Sequence, residues 1–381
     1  MSKKESKKIV KTFALASFLN DFGSDMIFPI WPLFVTSVLG ANMAILGFIE
    51  GLSDAIVSLS QAASGYVSDR IKKRKIFIWL GYFLGSLSKF GYAFATAWGH
   101  LVPLRTLDRA GKIRDAPRDA IVAEVSTKAN RGRNFGLLRA MDHLGAVCGI
   151  IFTILFFGML GYKNLFMVAA IFPLIAALLV FLVIKERKQT RIKIYKGISL
   201  KDIDKNFRLF ILLSSIFALG AFSYSFLLIF AYQLGFKATF VPILYLIFTA
   251  IAFMVAIPFG KLADKIGRKP VLFLSYSLWG LVCISSIALQ TSFGVILSFV
   301  LYGLHRGSLE PVQRTLVAEL APKKFRASGI GGFQMIIGLV ALPASLIAGL
   351  LWDKINILTP FYLSLGLTAV AIVLLLFVKE K

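Results

Sequence analysis

Acidic, thiol and imidazole side chains are scarce in this chain of 381 residues, which holds 19 Asp and Glu, two Cys and three His. Cys148 and Cys283 show neither disulfide nor metal-ligand spacing, so we expect both to be small packed residues inside helices. The sequence also lacks a P-loop and a dinucleotide-binding fingerprint. These absences leave ATP-driven transport without support, and they predict a protein without metal, cofactor or enzyme activity.

Apolar residues, in contrast, make up 57% of the chain, only 16% is charged, and the mean hydropathy is +0.78. A helix of about 20 apolar residues crosses the roughly 30 Å of a bilayer core. Runs of this kind occur at 11–38, 43–66, 76–98, 101–122, 134–158, 164–185, 208–234, 239–262, 271–290, 294–317, 327–351 and 356–378. They are too long and too uniformly apolar for barrel strands, and lipid offers the backbone no hydrogen-bond partner. The predicted fold class is an all-α membrane protein with 12 transmembrane helices.

The net charge of +24 is spread over the short segments between these runs. The segments assigned to one side hold 31 Lys and Arg, whereas the opposite loops hold three, namely Lys163, Lys237 and Lys354. Positive residues in short loops mark the cytoplasmic side, so we expect a multi-pass protein of the cell membrane with cytoplasmic N- and C-termini. A nucleic-acid-binding protein would gather its charge on one folded surface, and this class is therefore excluded.

Two loops of the chain nearly repeat each other. Residues 65–75 read GYVSDRIKKRK, and residues 260–270 read GKLADKIGRKP. Their aspartates, Asp69 and Asp264, are 195 residues apart, which is about half the chain. Each loop lies between two long apolar runs. A basic loop with one fixed acid at the same place in two halves indicates a duplicated membrane bundle.

The same offset of 195 residues continues beyond the loops, where it relates Glu124 to Glu319. We therefore predict two pseudo-symmetric six-helix bundles, formed by residues 1–185 and 208–381. The Lys- and Arg-rich stretch 186–207 has no long apolar face, and we interpret it as a cytoplasmic linker between the bundles.

The run at 101–122 is the least apolar of the set. Its charged residues are Arg105, Asp108, Arg109, Lys112, Arg114, Asp115, Arg118 and Asp119, and it also holds Pro117. A central charge costs about 2.5–3.5 kcal/mol on insertion scales. The loops 67–75 and 126–133 are both basic, however, so an even number of crossings must join them, and 76–98 supplies only one. We expect 101–122 to be the fourth transmembrane helix, turned towards protein or a wet cavity.

The doubled loop resembles the signature Gly-x-x-x-Asp-Arg/Lys-x-Gly-Arg-Lys of the major facilitator superfamily. The copy at 260–270 is close to complete, and the copy at 65–75 has lysine where a glycine is usual. Residues 107–119 look like a subgroup of archaeal and bacterial members of unknown substrate, and Arg105 is similar in placement to a cavity arginine on helix 4. The resemblance implies an alternating-access transporter whose two halves rock about a site near the midplane.

The resemblance also implies a cytoplasmic gate made of loop charges, which would stabilise one conformational state rather than bind substrate. Asp69 and Asp264 would latch one half to the other, and the pairs Glu124/Arg131 and Glu319/Arg326 resemble further gate charges. The alternative is that these charges only enforce orientation. The expected gate comprises Gly65, Asp69, Arg70, Arg74, Glu124, Arg131, Gly260, Asp264, Gly267, Arg268, Glu319 and Arg326.

Four carboxylates lie within the first two runs: Asp21, Asp25, Glu50 and Asp54. An embedded carboxylate is costly when ionised, so it can load a proton on one side of the membrane and release it on the other. Such a group would couple transport to the proton gradient, and Asp25 and Glu50 are the first candidates. The alternative is that these acids are permanently paired with nearby Lys or Arg.

On the fourth run, Arg105, Arg109 and Lys112 recur at helical spacing with Asp108 on the same face. Arg139 and Asp142 of the fifth run lie at comparable depth. A basic stripe of this kind could hold an anionic substrate group, for which arginine is well suited. The alternative is internal pairing, because the first six runs hold seven embedded bases and eight embedded acids.

The second half carries few charges within its runs, chiefly Arg306, Glu310 and Arg314 beside His305. His305 is either a proton relay or a packing histidine. The seventh run is rich in aromatic residues, namely Phe222, Tyr224, Phe226, Phe230 and Tyr232. An aromatic wall opposite an ionic wall would suit an amphiphilic organic substrate, whereas the alternative is ordinary core or lipid-facing packing.

The sequence therefore predicts a monomeric secondary active transporter that works by alternating access. Its expected partners are a small organic solute, protons as the coupling ion and the lipid bilayer, with a preference for efflux. The alternative is a non-transporting membrane receptor or sensor built on the same bundle, which would bind a ligand without counterflow.

Overall fold

The computed structural model describes residues 3–71, 73–127, 130–186, 204–321 and 326–380. Within these ranges the chain is helical almost throughout, and it contains no β-strand. The all-α class predicted from the sequence is therefore confirmed.

The chain forms two compact units. The first comprises Met1–Gly40 and Ile56–Tyr195, and the second comprises Ala41–Ala55 and Lys196–Lys381. The segment Ala41–Ala55 thus associates with the second unit, although the sequence places it in the first half. Most of the expected linker 186–207 lies outside the described residues.

The helices are numbered here in chain order. They are α1 Lys3–Asp25, α2 Trp31–Leu33, α3 Met43–Ile71, α4 Lys75–Tyr92, α5 Trp98–Ala110, α6 Asp115–Glu124, α7 Arg131–Val183, α8 Lys205–Gly220, α9 Tyr224–Gln233, α10 Val241–Ile266, α11 Arg268–Ala288, α12 Ser292–Leu320, α13 Arg326–Lys354 and α14 Thr359–Leu376. A π-helical turn at Phe34–Val38 follows α2, and a 3₁₀ turn at Gly111–Arg114 joins α5 to α6.

Seven helical stretches of the described chain are long and apolar enough to cross a membrane. These are Met43–Ser68, Arg131–Val183, Lys205–Gln233, Val241–Ile266, Arg268–Ala288, Gly329–Lys354 and Thr359–Leu376. The second is 53 residues long, but Gly161 interrupts it with a φ of 64°. That backbone conformation is one glycine adopts readily. The break falls between the predicted runs 134–158 and 164–185.

The first unit is built on the contact between α1 and the first part of α7. An added Cβ at Gly145 would collide with the carbonyl oxygen of Phe18, and one at Gly149 would collide with that of Phe22. Because both positions lack a side chain, the two helix backbones approach closely, as small residues allow in membrane helices. The Thr153 hydroxyl extends the contact by donating to the carbonyl of Met26 at 2.7 Å.

A glutamate caps the N-terminus of α4 in the first unit and that of α11 in the second. In the first unit, the backbone N–H groups of Arg74 and Lys75, at the start of α4, donate to Glu186 at 2.9 and 3.0 Å. In the second unit, the N–H groups of Arg268 and Lys269, at the start of α11, donate to Glu380. The cap satisfies N–H groups that have no partner within the helix, and its negative charge complements the helix dipole.

The start of α3 is capped by a residue far away in the sequence. The N–H groups of Met43 and Ala44 donate to the two carboxylate oxygens of Asp353 at 3.0 and 2.7 Å. Asn42 also accepts a hydrogen bond, from Ile45 N–H at 2.9 Å. Because Asp353 lies on α13, these bonds attach the start of α3 to the second unit.

Glycines let the first half of α3 lie directly against α13. Added Cβ atoms at Gly47 and Gly51 would collide with the backbone of α13, and one at Gly349 would collide with that of Met43. Further along α3, Glu50 accepts a hydrogen bond from the Ser223 hydroxyl at 3.1 Å. Backbone packing and polar contacts together explain why Ala41–Ala55 belongs to the second unit.

We expect Asp353→Ala to loosen the start of α3, because the N–H groups of Met43 and Ala44 lose their acceptors. Loss of a helix cap costs about 0.5–2 kcal/mol, and the exposure of Asp353 places this one at the lower end. Hydrogen exchange of the purified protein should be faster at these two amides and unchanged in α14. Lys354→Ala, at the neighbouring exposed position, is the control; equal exchange in the two variants would contradict the capping role.

Candidate functional site

The fourth predicted run is a broken helix whose charged side chains turn inward. It consists of α5, the 3₁₀ turn Gly111–Arg114 and α6. The side chains of Arg105, Asp108, Arg114 and Arg118 are all buried. Buried charges at membrane depth persist only when they are paired or hydrogen-bonded, so the partners of these groups define the site.

Asp108 is shared by three cations. Its Oδ1 lies 3.0 Å from Nζ of Lys89 on α4, and its Oδ2 lies 3.7 Å from Nη1 of Arg105 and 3.6 Å from Nε of Arg109. Lys89 and Arg105 are only 3% and 2% exposed, and Asp108 is 8% exposed. The cluster therefore gathers three cations around one carboxylate in a mostly buried position.

Aromatic rings hold two of these cations. The guanidinium carbon of Arg105 lies 4.4 Å from the ring centre of Trp31, and that of Arg109 lies 4.9 Å from the ring centre of Phe28. The electron-rich face of an aromatic ring stabilises a cation, and more strongly when water is excluded. The rings thus offset part of the excess positive charge around Asp108.

A second cluster lies at the 3₁₀ turn. Asp115 is within 4.0 Å of Nζ of Lys112 and 3.7 Å of Nε of Arg114, and it accepts a hydrogen bond from the Gln61 amide at 2.9 Å. The Arg114 guanidinium also lies over the ring of Tyr82 at 4.9 Å. Asp115 is therefore the carboxylate that forms ion pairs with Lys112 and Arg114.

A third cluster joins α6 to α7. Arg118 and Arg139 both approach Asp119, at 3.0 and 3.9 Å, and Arg139 also contacts Asp142 at 3.2 Å. Arg118 is further anchored by a hydrogen bond to the Ser17 hydroxyl at 2.9 Å. The embedded bases of this unit are thus engaged with acids of the same unit, which supports the alternative of internal pairing.

Asp21 is the exception among these acids. Its Oδ1 accepts a hydrogen bond from the Asn20 amide at 2.7 Å, but within the part of the chain that the structure describes it forms no ion pair. It lines a cavity of about 60 Å³ together with Asn20, Ser24, Phe28, Lys89, Asp108, Arg109, Lys112 and Arg114. A space of this size admits a few water molecules but is well below the roughly 300 Å³ of an organic ligand pocket.

The other three candidate acids occupy different surroundings. Asp25 is buried on α1, and Glu50 is buried on α3 with the Ser223 hydroxyl as hydrogen-bond donor. Asp54 is exposed, although it lies well inside α3. Glu50 and Asp54 belong to the segment that associates with the second unit. Asp21 and Asp25 belong to the first unit.

His305 of α12 is packed in the second unit. Its Nδ1 lies 2.8 Å from the carbonyl oxygen of Ser275, and its ring centre lies 5.5 Å from that of Trp279 and 5.7 Å from that of Phe217. A ring nitrogen this close to a carbonyl oxygen carries the proton and donates it. This geometry fits the packing alternative for His305.

Three charged side chains follow His305 on the exposed side of α12. Glu310 and Arg314 form an ion pair at 2.8 Å, with both side chains more than half exposed. Arg306 is also exposed, and it has no hydrogen bond or ion pair to any described residue. Its electrostatic neighbours are Tyr302, Glu310, Asp54 and Tyr245.

The aromatic residues of the seventh run divide into two groups. Phe222, Phe226 and Phe230 are buried against Trp352 and Phe361, so they form core rather than a substrate-facing wall. Tyr232 is 39% exposed. Tyr224 is half-buried, and its ring centre lies 5.3 Å from that of Tyr245 on α10.

The residues of the expected gate form ion pairs within each unit. In the first unit Arg74 pairs with Glu124, while Arg131 donates to the carbonyl of Ala123 at 3.4 Å. Arg70 is exposed, and Gly65 and Gly260 lie where an added Cβ would meet no close contact. The side chains of Asp69 and Arg326 lie outside the described residues.

In the second unit, Arg268 contacts both Asp264 and Glu319 at 3.1 Å. Gly267 precedes it with a φ of 98°, and an added Cβ there would lie 2.8 Å from the Glu380 carboxylate. In both units an arginine therefore binds a glutamate near the C-terminus of another helix. Arg74 binds Glu124 of α6, and Arg268 binds Glu319 of α12.

Comparison with known proteins decides the family. The sequence model of the Major Facilitator Superfamily matches residues 13–256 of this chain. A second match, which overlaps the first, covers residues 209–381. The chain belongs to the major facilitator superfamily. An uncharacterized MFS-type transporter of Methanocaldococcus jannaschii is 36% identical over 98% of this chain and 96% of its own length. A multi-drug resistance efflux pump, PmrA, of Streptococcus pneumoniae serotype 4 is 26% identical over 81% of this chain and 80% of its own length.

Solved structures of the superfamily share the fold. A mutant form of the nucleoside transporter NupG superposes with a TM-score of 0.80, covering 98% of this chain and 100% of its own, at 16% identity. The protein is therefore an integral membrane transporter of the superfamily that binds a small-molecule substrate, and it is not an enzyme. The resemblance stated from the doubled loop is confirmed.

Several residues of these sites had only a weak signal in the sequence. Trp31, Tyr245 and Tyr302 are aromatic residues within apolar runs, where most aromatic residues are core. Asp353 is a lone acid near the end of an apolar run, and Gln61 follows Glu50 and Asp54 on the second run. Helical periodicity identifies the face on which a residue lies, but not the distant residue that the face meets.

We expect Asp108→Asn to destabilise the protein strongly, because Lys89, Arg105 and Arg109 would lose their shared carboxylate. Breaking a buried ion pair costs about 3–5 kcal/mol. Thermal unfolding of the purified protein would register this as a large fall in the melting temperature. Glu310→Gln breaks an exposed pair and should change it little; a loss equal to that of Asp108→Asn would contradict the role assigned to the cluster.

Proposed function

We propose that this transporter is a proton-coupled secondary carrier that exports a small organic solute from the cell by alternating access. The observation that carries the coupling is the position of Asp21, a cavity-lining carboxylate without an ion pair among the described residues. The preference for export is supported by similarity to the multi-drug resistance efflux pump PmrA.

We choose Asp21 because the Lys and Arg side chains near it contact other carboxylates. Lys112 and Arg114 face Asp21 electrostatically, as does Asp142, but both cations also contact Asp115. Lys89 and Arg109 line the same cavity and contact Asp108. An ionised carboxylate without its own cation is costly at this depth, and protonation removes that cost.

The cavity size fits a proton better than a solute. About 60 Å³ admits a few water molecules, and water next to a carboxylate can deliver or remove a proton. The organic substrate needs a larger and less charged surface elsewhere. Proton and solute would thus bind at separate places in the same transporter.

The arrangement in the membrane belongs to the same proposal. Twelve transmembrane helices form two six-helix bundles in the cell membrane, with both termini in the cytoplasm and the chain acting as a monomer. The excess of Lys and Arg in the loops of one side supports this orientation. The gate residues Asp69, Glu124, Asp264, Arg268 and Glu319 would stabilise one state of the alternating cycle.

We expect Asp21→Asn to separate transport from the proton gradient, because asparagine cannot carry a proton between the two sides. The measurement is flux into proteoliposomes of two labelled probes of opposite charge, ethidium and naphthalene-2-carboxylate, with and without a pH gradient. The wild-type protein should move at least one of them faster with the gradient than after nigericin treatment. Asp21→Asn should show the same rate in both conditions.

Glu5→Gln is the matched control, because it removes a carboxylate from an exposed position of the same helix. It should keep the response to the gradient. A response retained in Asp21→Asn but lost in Asp25→Asn or Glu50→Gln would move the coupling site to those residues. Binding of both probes without any flux by the wild-type protein would favour a receptor instead.

A further inference from the structure

We propose that Arg306 binds the anionic group of an aromatic organic anion, and that the substrate of this transporter belongs to this chemical class. The inference rests on the proposed transport function and adds the substrate to it. Its basis is an exposed guanidinium without a partner among the described residues, set beside a row of packed aromatic rings in the second unit.

The position of Arg306 excludes an ordinary surface role. It lies 14 residues from each end of α12, which spans Ser292–Leu320, or about 21 Å at 1.5 Å per residue. An exposed arginine at this depth is too costly against lipid and therefore faces water or protein. Gly303 and Gly307 lie on either side of Arg306 in the sequence. The space next to both glycines is filled by residues of α10.

The charges around Arg306 leave its guanidinium available. Glu310, one turn further along α12, forms an ion pair with Arg314 at 2.8 Å. Asp54 of α3 is a further electrostatic neighbour of Arg306. The planar guanidinium offers several N–H donors in a geometry that matches a carboxylate, which favours an anion as its ligand.

The two carboxylates near Arg306 raise the alternative of an organic cation. Glu310 is engaged with Arg314, which leaves Asp54 as the acid that such a cation would need. The hydroxyl groups of Tyr302 and Tyr245 also face Arg306 electrostatically. The positive charge of Arg306 and the several N–H donors of its guanidinium favour an anion over a cation as the ligand.

The aromatic rings define the other part of the ligand. Ring centres lie 5.1 Å apart between Phe248 and Tyr302, 4.7 Å apart between Phe248 and Tyr245, and 5.3 Å apart between Tyr245 and Tyr224. Phe248, Tyr302 and Tyr245 are themselves buried. They support the half-buried ring of Tyr224, which is the ring of this row that a ligand can reach. A ligand with an aromatic ring and a carboxylate matches both features.

The test is equilibrium binding of radiolabelled naphthalene-2-carboxylate to the purified full-length protein in lipid nanodiscs. Competition with unlabelled 2-naphthylmethylammonium and naphthalene-2-carboxamide measures the charge preference at constant ring size. We expect the carboxylate to compete and the two analogues to compete at least about tenfold less well, as loss of a charge-assisted hydrogen bond implies.

Arg306→Gln should weaken naphthalene-2-carboxylate binding by about tenfold or more, and Arg306→Lys should restore part of it. Asp54→Asn should leave anion binding intact or strengthen it, because it removes a competing carboxylate. Lys237→Gln removes an exposed positive charge of the same unit and should have no effect. Melting temperatures of the variants separate loss of binding from loss of folding.

Equal binding by wild type and Arg306→Gln, or no carboxylate binding by the wild type, would overturn the proposal. Tighter binding of the ammonium compound, lost in Asp54→Asn, would identify a cation site instead. The assay uses no gradient, so a protein that fails to couple protons through Asp21 would still bind the anion. Failure of the substrate class and failure of the transport mechanism are thus distinguishable.

Discussion

The sharing of one carboxylate, Asp108, by Lys89, Arg105 and Arg109 is the interaction on which the first unit depends. In a medium of low dielectric, a buried cation without a counter-charge would be expelled or neutralised. The shared acid therefore obliges α5 to turn its charged face towards α4. That orientation places the cavity of Asp21 between these helices and α1, and the rings of Trp31 and Phe28 complete the support of the arginines.

Much of the fold could be predicted from the sequence because membrane helices leave a simple signal. Long apolar runs predicted the helical class, and the offset of 195 residues predicted a repeat. Parity of the loops predicted that the polar run at 101–122 is helical. The pairing of charges could not be predicted in the same way, since helical spacing reveals only neighbours on one helix. Glu124 meets Arg74 and Glu319 meets Arg268, and these are contacts between helices that spacing along one helix does not reveal.

In the candidate site, too, helical periodicity predicts which residues share a helix face, but it does not predict which distant residues they pack against. Phe222, Phe226 and Phe230 were as suitable for a ligand wall as Tyr224 when only the sequence was considered. Their burial against Trp352 and Phe361 depends on α13 and α14, which lie more than a hundred residues away. The assignment of Ala41–Ala55 to the second unit likewise depends on Asp353 and on glycines of two distant helices.

The carboxylate caps of α4 and α11 have a consequence for the biogenesis of the protein. In each unit the capping glutamate follows the first capped residue by the same interval of 112 positions, from Arg74 to Glu186 and from Arg268 to Glu380. The first N–H groups of α4 or α11 therefore remain without this acceptor until almost the whole of its unit has emerged from the ribosome. The two caps therefore form late during synthesis, and the cap of α4 can form before α11 has been translated.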